Sequence, residues 1–317
     1  MQKYILRRIV LMIPTLFGLT FLVFVMVRLV PGDIVALIAG DFGATSPEVR
    51  AAILADFGLD ANIPLQYVRW LGDIARFDIG TSLLSGRSVT SELSDRLPVT
   101  VELGLLALSF NVLLGIPIGV ISAIRQNTTA DYVGRSVAIG MLAAPNFWIA
   151  LLLITFAGKY FTWGVPPTVY VGITEDPIAN LKLMLVPAII LGASASGGVM
   201  RFTRTAMLEV LRQDYIRTAH SKGLTERAVI VRHALKNALI PVVTVIGLGI
   251  PGIVGGAVII ESVYSIPGMG RYYVSAVQQL DFPVVQAVIL ISAVVIVFAN
   301  LAVDLSYAWL NPRIRYS

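Results

Sequence analysis

The sequence predicts an all-α, polytopic membrane protein with six transmembrane helices, and three observations carry that prediction. Hydrophobic residues make up 56% of the 317 residues, charged residues only 14%, and mean hydropathy is +0.81, more apolar surface than one soluble core uses. The apolar residues come in six blocks of about twenty or more, and a helix rising about 1.5 Å per residue needs that length to cross a hydrocarbon core of about 30 Å. Lys and Arg gather in alternate connections between the blocks, the pattern that sets membrane orientation.

The first block, Ile9 to Val30, follows Lys3, Arg7 and Arg8. That charge order resembles a secretory signal, but a run of about 22 residues with no small-x-small cleavage site after it reads as a retained first span. Residues 31–98 form a long extracytoplasmic loop with structure of its own. Ser46-Pro47-Glu48 reads as a helix cap with Pro at the first helical position, opening a segment that ends at Gly58. Ile63-Pro64 opens a second, amphipathic stretch through Trp70 to Arg76, and Gly80 and Gly86 read as turns. Loops in compact domains rarely exceed about 12 to 15 residues, so this one is either a cap on the bundle or a docking surface for an external partner, with Gly40 to Gly58 the segment to delete.

The later spans are Val99 to Ile124, Arg135 to Phe161, Leu181 to Thr203, Leu239 to Val263 and Val284 to Tyr307. An even number places both termini on one side. Lys3, Arg7 and Arg8, Arg125 and Arg135, the run from Arg201 to Lys236, and Arg313 and Arg315 give that side fifteen of the 24 basic residues, so it is cytoplasmic. No tandem repeat stands out. Residues 1–317 therefore read as a single membrane domain that needs a second copy or a relative to enclose a pore.

Several functions are excluded by residue type. Cysteine is absent, which rules out disulfides, thiolate metal sites and Cys nucleophiles and leaves the redox compartment open. The net charge of +5 is spread through short connections rather than gathered on one module, so nucleic acid is not the partner. His220 and His233 are the only histidines, and no acidic pair completes a metal site with them. No phosphate-binding loop is present, because the only Gly-Lys pair, Gly158-Lys159, is followed by Tyr160. Gly247-x-Gly249-x-x-Gly252 lies inside an apolar span with no strand before it and is not a dinucleotide fingerprint. Together with Pro251, Gly255 and Gly256, and with Gly115-x-Pro117-x-Gly119, it points to bends or close helix contacts. No catalytic, cofactor-binding or metal residue is expected.

Ion-coupled carriers place ionisable groups deep in the membrane. Here Arg28, Glu102, Glu261 and Asp304 lie toward span ends, and the bundle centre offers Asn111, Asn146, Ser194, Ser196 and Thr244, with the face of Asn300 undetermined. A neutral polar lining suits a translocation path that must not hold its cargo tightly.

The inner loop, residues 204–238, is the most informative segment. Asp214 suits an N-cap, Tyr215 and Ala219 lie four apart on one helical face, and Gly223 suits the left-handed residue that ends a helix. Thr225 then caps a second helix whose Ala228, Val231, Leu235 and Leu239 share a face running into the fifth span. A helix of about two turns is unstable alone in water, so the first must be held by packing, and a groove on a cytoplasmic partner is the natural support. The bland alternative is a basic helix lying on the membrane surface.

At these residues the chain resembles the permease subunits of binding-protein-dependent ABC importers of the peptide, opine and nickel class. The pattern Glu-Ala-Ala, three residues, Gly, then Ile-x-Leu-Pro is matched by Arg217-Thr218-Ala219, Gly223 and Ala238-Leu239-Ile240-Pro241, with Arg217 in place of Glu and Ala238 in place of Ile. Asp214-Tyr215-Ile216-Arg217-Thr218-Ala219 with Ser221-Lys222-Gly223-Leu224 is similar to the subclass's own version. Arg96-Leu97-Pro98-Val99-Thr100-Val101-Glu102-Leu103, Pro145-Asn146-Phe147-Trp148, Ile266-Pro267-Gly268-Met269-Gly270 and Asn311-Pro312-Arg313-Ile314-Arg315 extend the likeness over nearly the whole chain.

The resemblance implies a type I ABC importer permease fold in a bacterial cytoplasmic membrane. It implies a coupling helix seated on an ATPase subunit, with Tyr215, Ala219 and Leu224 packing, Asp214 and Arg217 orienting by charge, and Gly223 closing the helix. It also implies a homologous second permease, two ATPase subunits that hold ATP and Mg, and an extracytoplasmic substrate-binding protein. The implied cargo is a di- or oligopeptide, with nickel, glutathione, an opine or a sugar open. The rivals from other classes are an ion-driven secondary carrier, which would show flux with this chain alone, and a scaffold, which would show none.

Overall fold

The computed structural model describes residues 2–29, 61–160 and 169–310. The helix sought at Ser46 to Gly58 and the Asn311–Arg315 stretch lie outside these, as do the side chains of Arg28 and Asp304. The described residues form helices α1 (Gln2–Leu29), α2 (Ile63–Ala75), α3 (Val89–Ile124), α4 (Thr129–Ala143), α5 (Asn146–Tyr160) and α6 (Pro177–Leu211). The short α7 (Asp214–Ser221) follows, then α8 (Lys236–Val263), α9 (Met269–Gln278) and α10 (Phe282–Leu310). Among the described residues the only strand-like pairing is an isolated bridge between Thr81 and Ser88.

Five helical stretches are long and apolar enough to cross a membrane, and the third expected span is a broken one. Arg135 to Phe161 is not one rod. Pro145 holds Ala144 out of the helical region at φ −84° and ψ 121°, α4 ends there, and α5 leaves at 95°. Counting that bent pair as one span gives the expected six.

The chain divides into two compact units, each described by itself. The first contains residues 98–271 and 296–317 with the first few residues. In it Asp176 caps α6, accepting from the amides of Ile178 and Ala179 at 3.0 Å each, with Pro177 pre-set at the first helical position. Glycine lets α6 approach its neighbours to backbone contact: a Cβ on Gly192 would lie 2.3 Å from the Ala107 carbonyl oxygen of α3, and one on Gly197 2.5 Å from that of Ala138 in α4. Gly115 and Gly119 of α3 are pressed against Val199 and Thr203 in the same way, as the sequence suggested for that cluster.

The second unit comprises residues 7–97 and 272–295. Here α2 begins at Asn62, whose side chain accepts from the Leu65 amide at 3.0 Å, and ends at Arg76 as expected. Tyr67 packs edge-on against Phe21 and Phe24 of α1, and its hydroxyl pairs with Thr20 at 2.9 Å. Gly80 and Gly86 take φ of 99° and 64°, the left-handed turns their sequence context predicts.

Candidate functional site

A cavity of about 400 Å³ opens between α3, the α4–α5 break, α6 and α8. Three of the five polar residues expected on a translocation path line it: Asn111, Asn146 and Ser194. Ser194 and Gly249 sit at the midpoints of α6 and α8. Gly198, Gly249 and Gly252 complete part of the wall, and a Cβ at any of them would meet nothing within 4 Å. These glycines keep space open.

Asn111 is only 2% exposed, yet its Oδ1 has no hydrogen-bond partner. Leaving such an oxygen unpaired and buried costs about 1–3 kcal/mol, so the residue stands out on this wall. The Asn146 oxygen accepts from the Phe147 amide at 2.8 Å, and the Ser194 hydroxyl donates to the Leu191 carbonyl at 2.9 Å. Ser196 and Thr244 are not on the wall. Ser196 is buried and donates to the Ala193 carbonyl at 2.7 Å, and on α8 the lining residue is Val245, one position beyond Thr244. Asn300 is exposed.

On the side of the first unit where α6 runs toward α7, Asp131 forms a buried ionic knot that the sequence reading missed. Its carboxylate is 0% exposed and takes a bidentate Arg204, Nε at 2.8 Å and Nη2 at 2.9 Å. It also accepts from the Ser122 hydroxyl and from the Asn127 amide at 3.0 Å, while Arg135 Nε lies 3.4 Å away. One side chain thus ties the end of α3, the start of α4 and the C-terminal third of α6. Arg135 and Arg204 were visible in the sequence only as orientation charges.

At the opposite helix ends, Glu261 of α8 is equally buried but meets no cation among the described residues. It accepts from Thr100 Oγ1 at 2.7 Å, Gly270 N at 2.7 Å and Arg271 N at 3.1 Å, and the same threonine accepts from Met269 N at 2.8 Å. A Cβ on Gly268 would lie 2.4 Å from this carboxylate, which accounts for glycine in Ile266-Pro267-Gly268-Met269-Gly270. Glu102 is held by longer contacts, 3.5 Å each from Tyr170 Oη and Asn180 Nδ2. Burial, with the Glu102 charge adding to it, pushes the Tyr170 hydroxyl up to about 12, so it remains a donor.

The loop between the fourth and fifth spans carries α7 as an eight-residue helix closed by Gly223 at φ +75°. Gly223 N donates to the His220 carbonyl at 2.9 Å and Leu224 N to the Ala219 carbonyl at 3.4 Å, the paired bonds of a Schellman end. Asp214 is not the N-cap. Gln213 holds that position without a side-chain bond, and Asp214 sits in the first turn, where its charge favours the helix dipole and pairs with Arg217 at 3.4 Å.

Tyr215 and Ala219 do not share an environment. Tyr215 is 43% exposed, whereas Ala219 and Ile216 are buried against Met207, Val229, Ala234 and Val242. The solvent face of the loop is Asp214, Tyr215, Arg217 and Leu224. Thr225 does precede the next helical turn, Glu226–Ala228, but makes no side-chain cap bond. From Val229 to Leu235 the backbone is a π-helix, which breaks the α-periodic face expected through Ala228, Val231, Leu235 and Leu239: Val231 is exposed, and Val229 and Ala234 are buried instead. His220 accounts for its own ring, with Nδ1 3.1 Å from the Ile216 carbonyl and Nε2 2.9 Å from Glu226.

Long membrane helices, a broken third span, a mid-helix cavity and a short helix with one exposed and one buried face between the fourth and fifth spans define a membrane-embedded transporter subunit. The fold agrees with a chain of an amino acid ABC transporter crystallised with histidines (TM-score 0.53) and with one of the inward-facing MetNI methionine ABC transporter (TM-score 0.56). Each is 15% identical, and each match covers 69% of this chain, with 94% and 96% of theirs. The fold is that of a type I ABC importer permease.

The chain belongs to the family of binding-protein-dependent transport system inner membrane components, whose main model matches residues 115–316 and whose N-terminal model matches residues 1–104. It is 38% identical over its full length to the dipeptide transport system permease protein DppB of Escherichia coli K12, with 99% of that protein covered. It is 36% identical to DppB of Alkalihalophilus pseudofirmus and 38% identical to the oligopeptide transport system permease protein AppB of Bacillus subtilis, with full coverage on both sides.

Proposed function

We propose that this chain is one of two homologous membrane subunits of an ATP-driven importer of di- or oligopeptides in a bacterial cytoplasmic membrane, with both termini in the cytoplasm. The observation that carries the cargo is identity along the whole chain to permeases named for dipeptide and oligopeptide transport. The distribution of Lys and Arg supports the orientation. ATP and Mg belong to two ATPase subunits, and an extracytoplasmic binding protein delivers the peptide, with residues 31–98 available to receive it.

In this reading α7 seats on an ATPase subunit by its exposed face, Asp214, Tyr215, Arg217 and Leu224. Its other face, Ile216 and Ala219, is packed into the inner end of the first unit, so a displacement of α7 is passed to α6 and α8 rather than absorbed. The Asp131–Arg204 pair couples the inner part of α6 to α3 and α4. Those same helices wall the cavity, and Asn111, Asn146 and Ser194 line the passage together with the second permease.

Gly223→Pro tests the coupling role. Proline fixes φ near −65° and removes the N–H that closes α7, so the loop is lost where φ is +75°. Peptide uptake in cells should fall to background while the amount of chain in the membrane is unchanged. Normal uptake would reject α7 as the coupling element. Affinity purification in mild detergent should recover a second permease and ATPase subunits, whereas a lone chain supporting ion-driven flux in liposomes would replace the importer with a carrier.

A further inference from the structure

We propose that the Asn111 carboxamide, in the cavity that Asn146 also lines, is a contact point for the peptide bond of the cargo, a site that reads backbone rather than side chain. The inference rests on the reading of the cavity as a peptide passage and names the chemistry by which the wall meets its cargo. Four observations lead to it. Asn111 is almost fully buried, lines the cavity, and has an oxygen with no partner in the protein. Asn146 lines the same cavity with its oxygen already engaged by the Phe147 amide, which leaves its NH₂ group as a donor with no hydrogen bond to the described residues. The wall holds no charged side chain. Three glycines, Gly198, Gly249 and Gly252, remove side-chain bulk beside these amides.

A peptide unit carries one N–H donor and one C=O acceptor whatever its side chains are. Asn111 holds an unpaired acceptor that is closed off from solvent in this conformation and is brought to the cavity by rotation of the carboxamide, Asn146 holds an unpaired donor, and the two functions match that unit. The lack of fixed charge means that the termini and side chains of the cargo find no ion pair to hold them. Open space beside the glycines leaves room for side chains of different size. Such a wall suits brief, sequence-independent contact during passage, while selection among cargoes falls to another protein. Asn111 is on this view a positioning residue for cargo.

The test uses the complete transporter in cells, with alanyl-alanine and its depsipeptide, alanyl-lactate, in which an ester oxygen replaces the amide N–H. Each probe is captured by the same binding protein in every strain, so differences in capture cancel when the amide-to-ester uptake ratio is compared between wild type and Asn111→Leu. One hydrogen bond to the amide predicts that the wild-type ratio exceeds that of Asn111→Leu by about three- to tenfold. Asn111→Ala, which removes volume and cannot clash, should lose the ratio in the same way, and it decides the matter if the leucine variant fails to reach the membrane. An unchanged ratio in a variant that still imports alanyl-alanine overturns the Asn111 contact and leaves the peptide importer standing. Failure of the wild type to import alanyl-alanine, its depsipeptide and longer oligoalanines alike overturns the peptide reading and the contact with it.

Discussion

Where α6 crosses α3 and α4, glycine lets backbones touch; where α6 and α8 face the cavity, it keeps them apart. Gly197 and Gly198 are adjacent, yet a Cβ on the first would lie 2.5 Å from a carbonyl oxygen and one on the second would meet nothing within 4 Å. Gly192 and Gly249 repeat the contrast at greater distance. The lesson is that a glycine-rich span serves two ends, and composition alone does not separate them. The closed side is further fixed by a buried ion pair, and the open side carries an unpaired amide oxygen.

Three substitutions probe this contrast. The largest loss is expected for Asp131→Ala, which leaves the largely but not fully buried Arg204 without its partner: up to about 3–5 kcal/mol, read as a drop in the thermal midpoint of the detergent-solubilised protein and in its membrane level. If the midpoint holds, the knot does not secure the closed side. Gly192→Ala comes next, because its new methyl group meets backbone, which cannot rotate away; a loss of about 1–3 kcal/mol is expected on the same assay. Smallest, and opposite in sign, is Gly249→Ala. With open space at that position, alanine should stabilise the helix by up to about 1 kcal/mol while slowing peptide uptake. Destabilisation of Gly249→Ala as severe as that of Gly192→Ala would erase the distinction between the two walls.

The membrane spans were legible because bilayer thickness imposes a length that apolar runs display directly. The break in the third span was not, since Pro98, Pro117, Pro187 and Pro251 lie inside continuous helices and Pro145 does not. A proline marks a possible break, and packing decides whether it becomes one. Helical phase explains the cavity residues. Ser194 and Gly198 are four apart and share the wall, whereas Ser196 is two positions, about 200°, away from Ser194. Val245, Gly249 and Gly252 share a face that Thr244 precedes by about 100°. Gly223 was readable because few residues other than glycine accept its backbone angle. The bond between Asp131 and Arg204 spans 73 positions, and no local pattern announces a pairing that only the folded bundle creates.

The π-helix of Val229–Leu235 has a further consequence. Pairing each amide with the fifth carbonyl back takes up more chain per turn than an α-helix does, so this stretch stores surplus thread between the inner loop and the fifth span. Wound as ordinary α-helix with no residue lost, the stretch would turn everything before it by about 100° relative to α8. Ile216 and Ala219 would swing off their apolar seat. In the language of screws, the surplus residue sets the timing of the thread, and it is what brings the buried face of α7 round to meet the body of the chain.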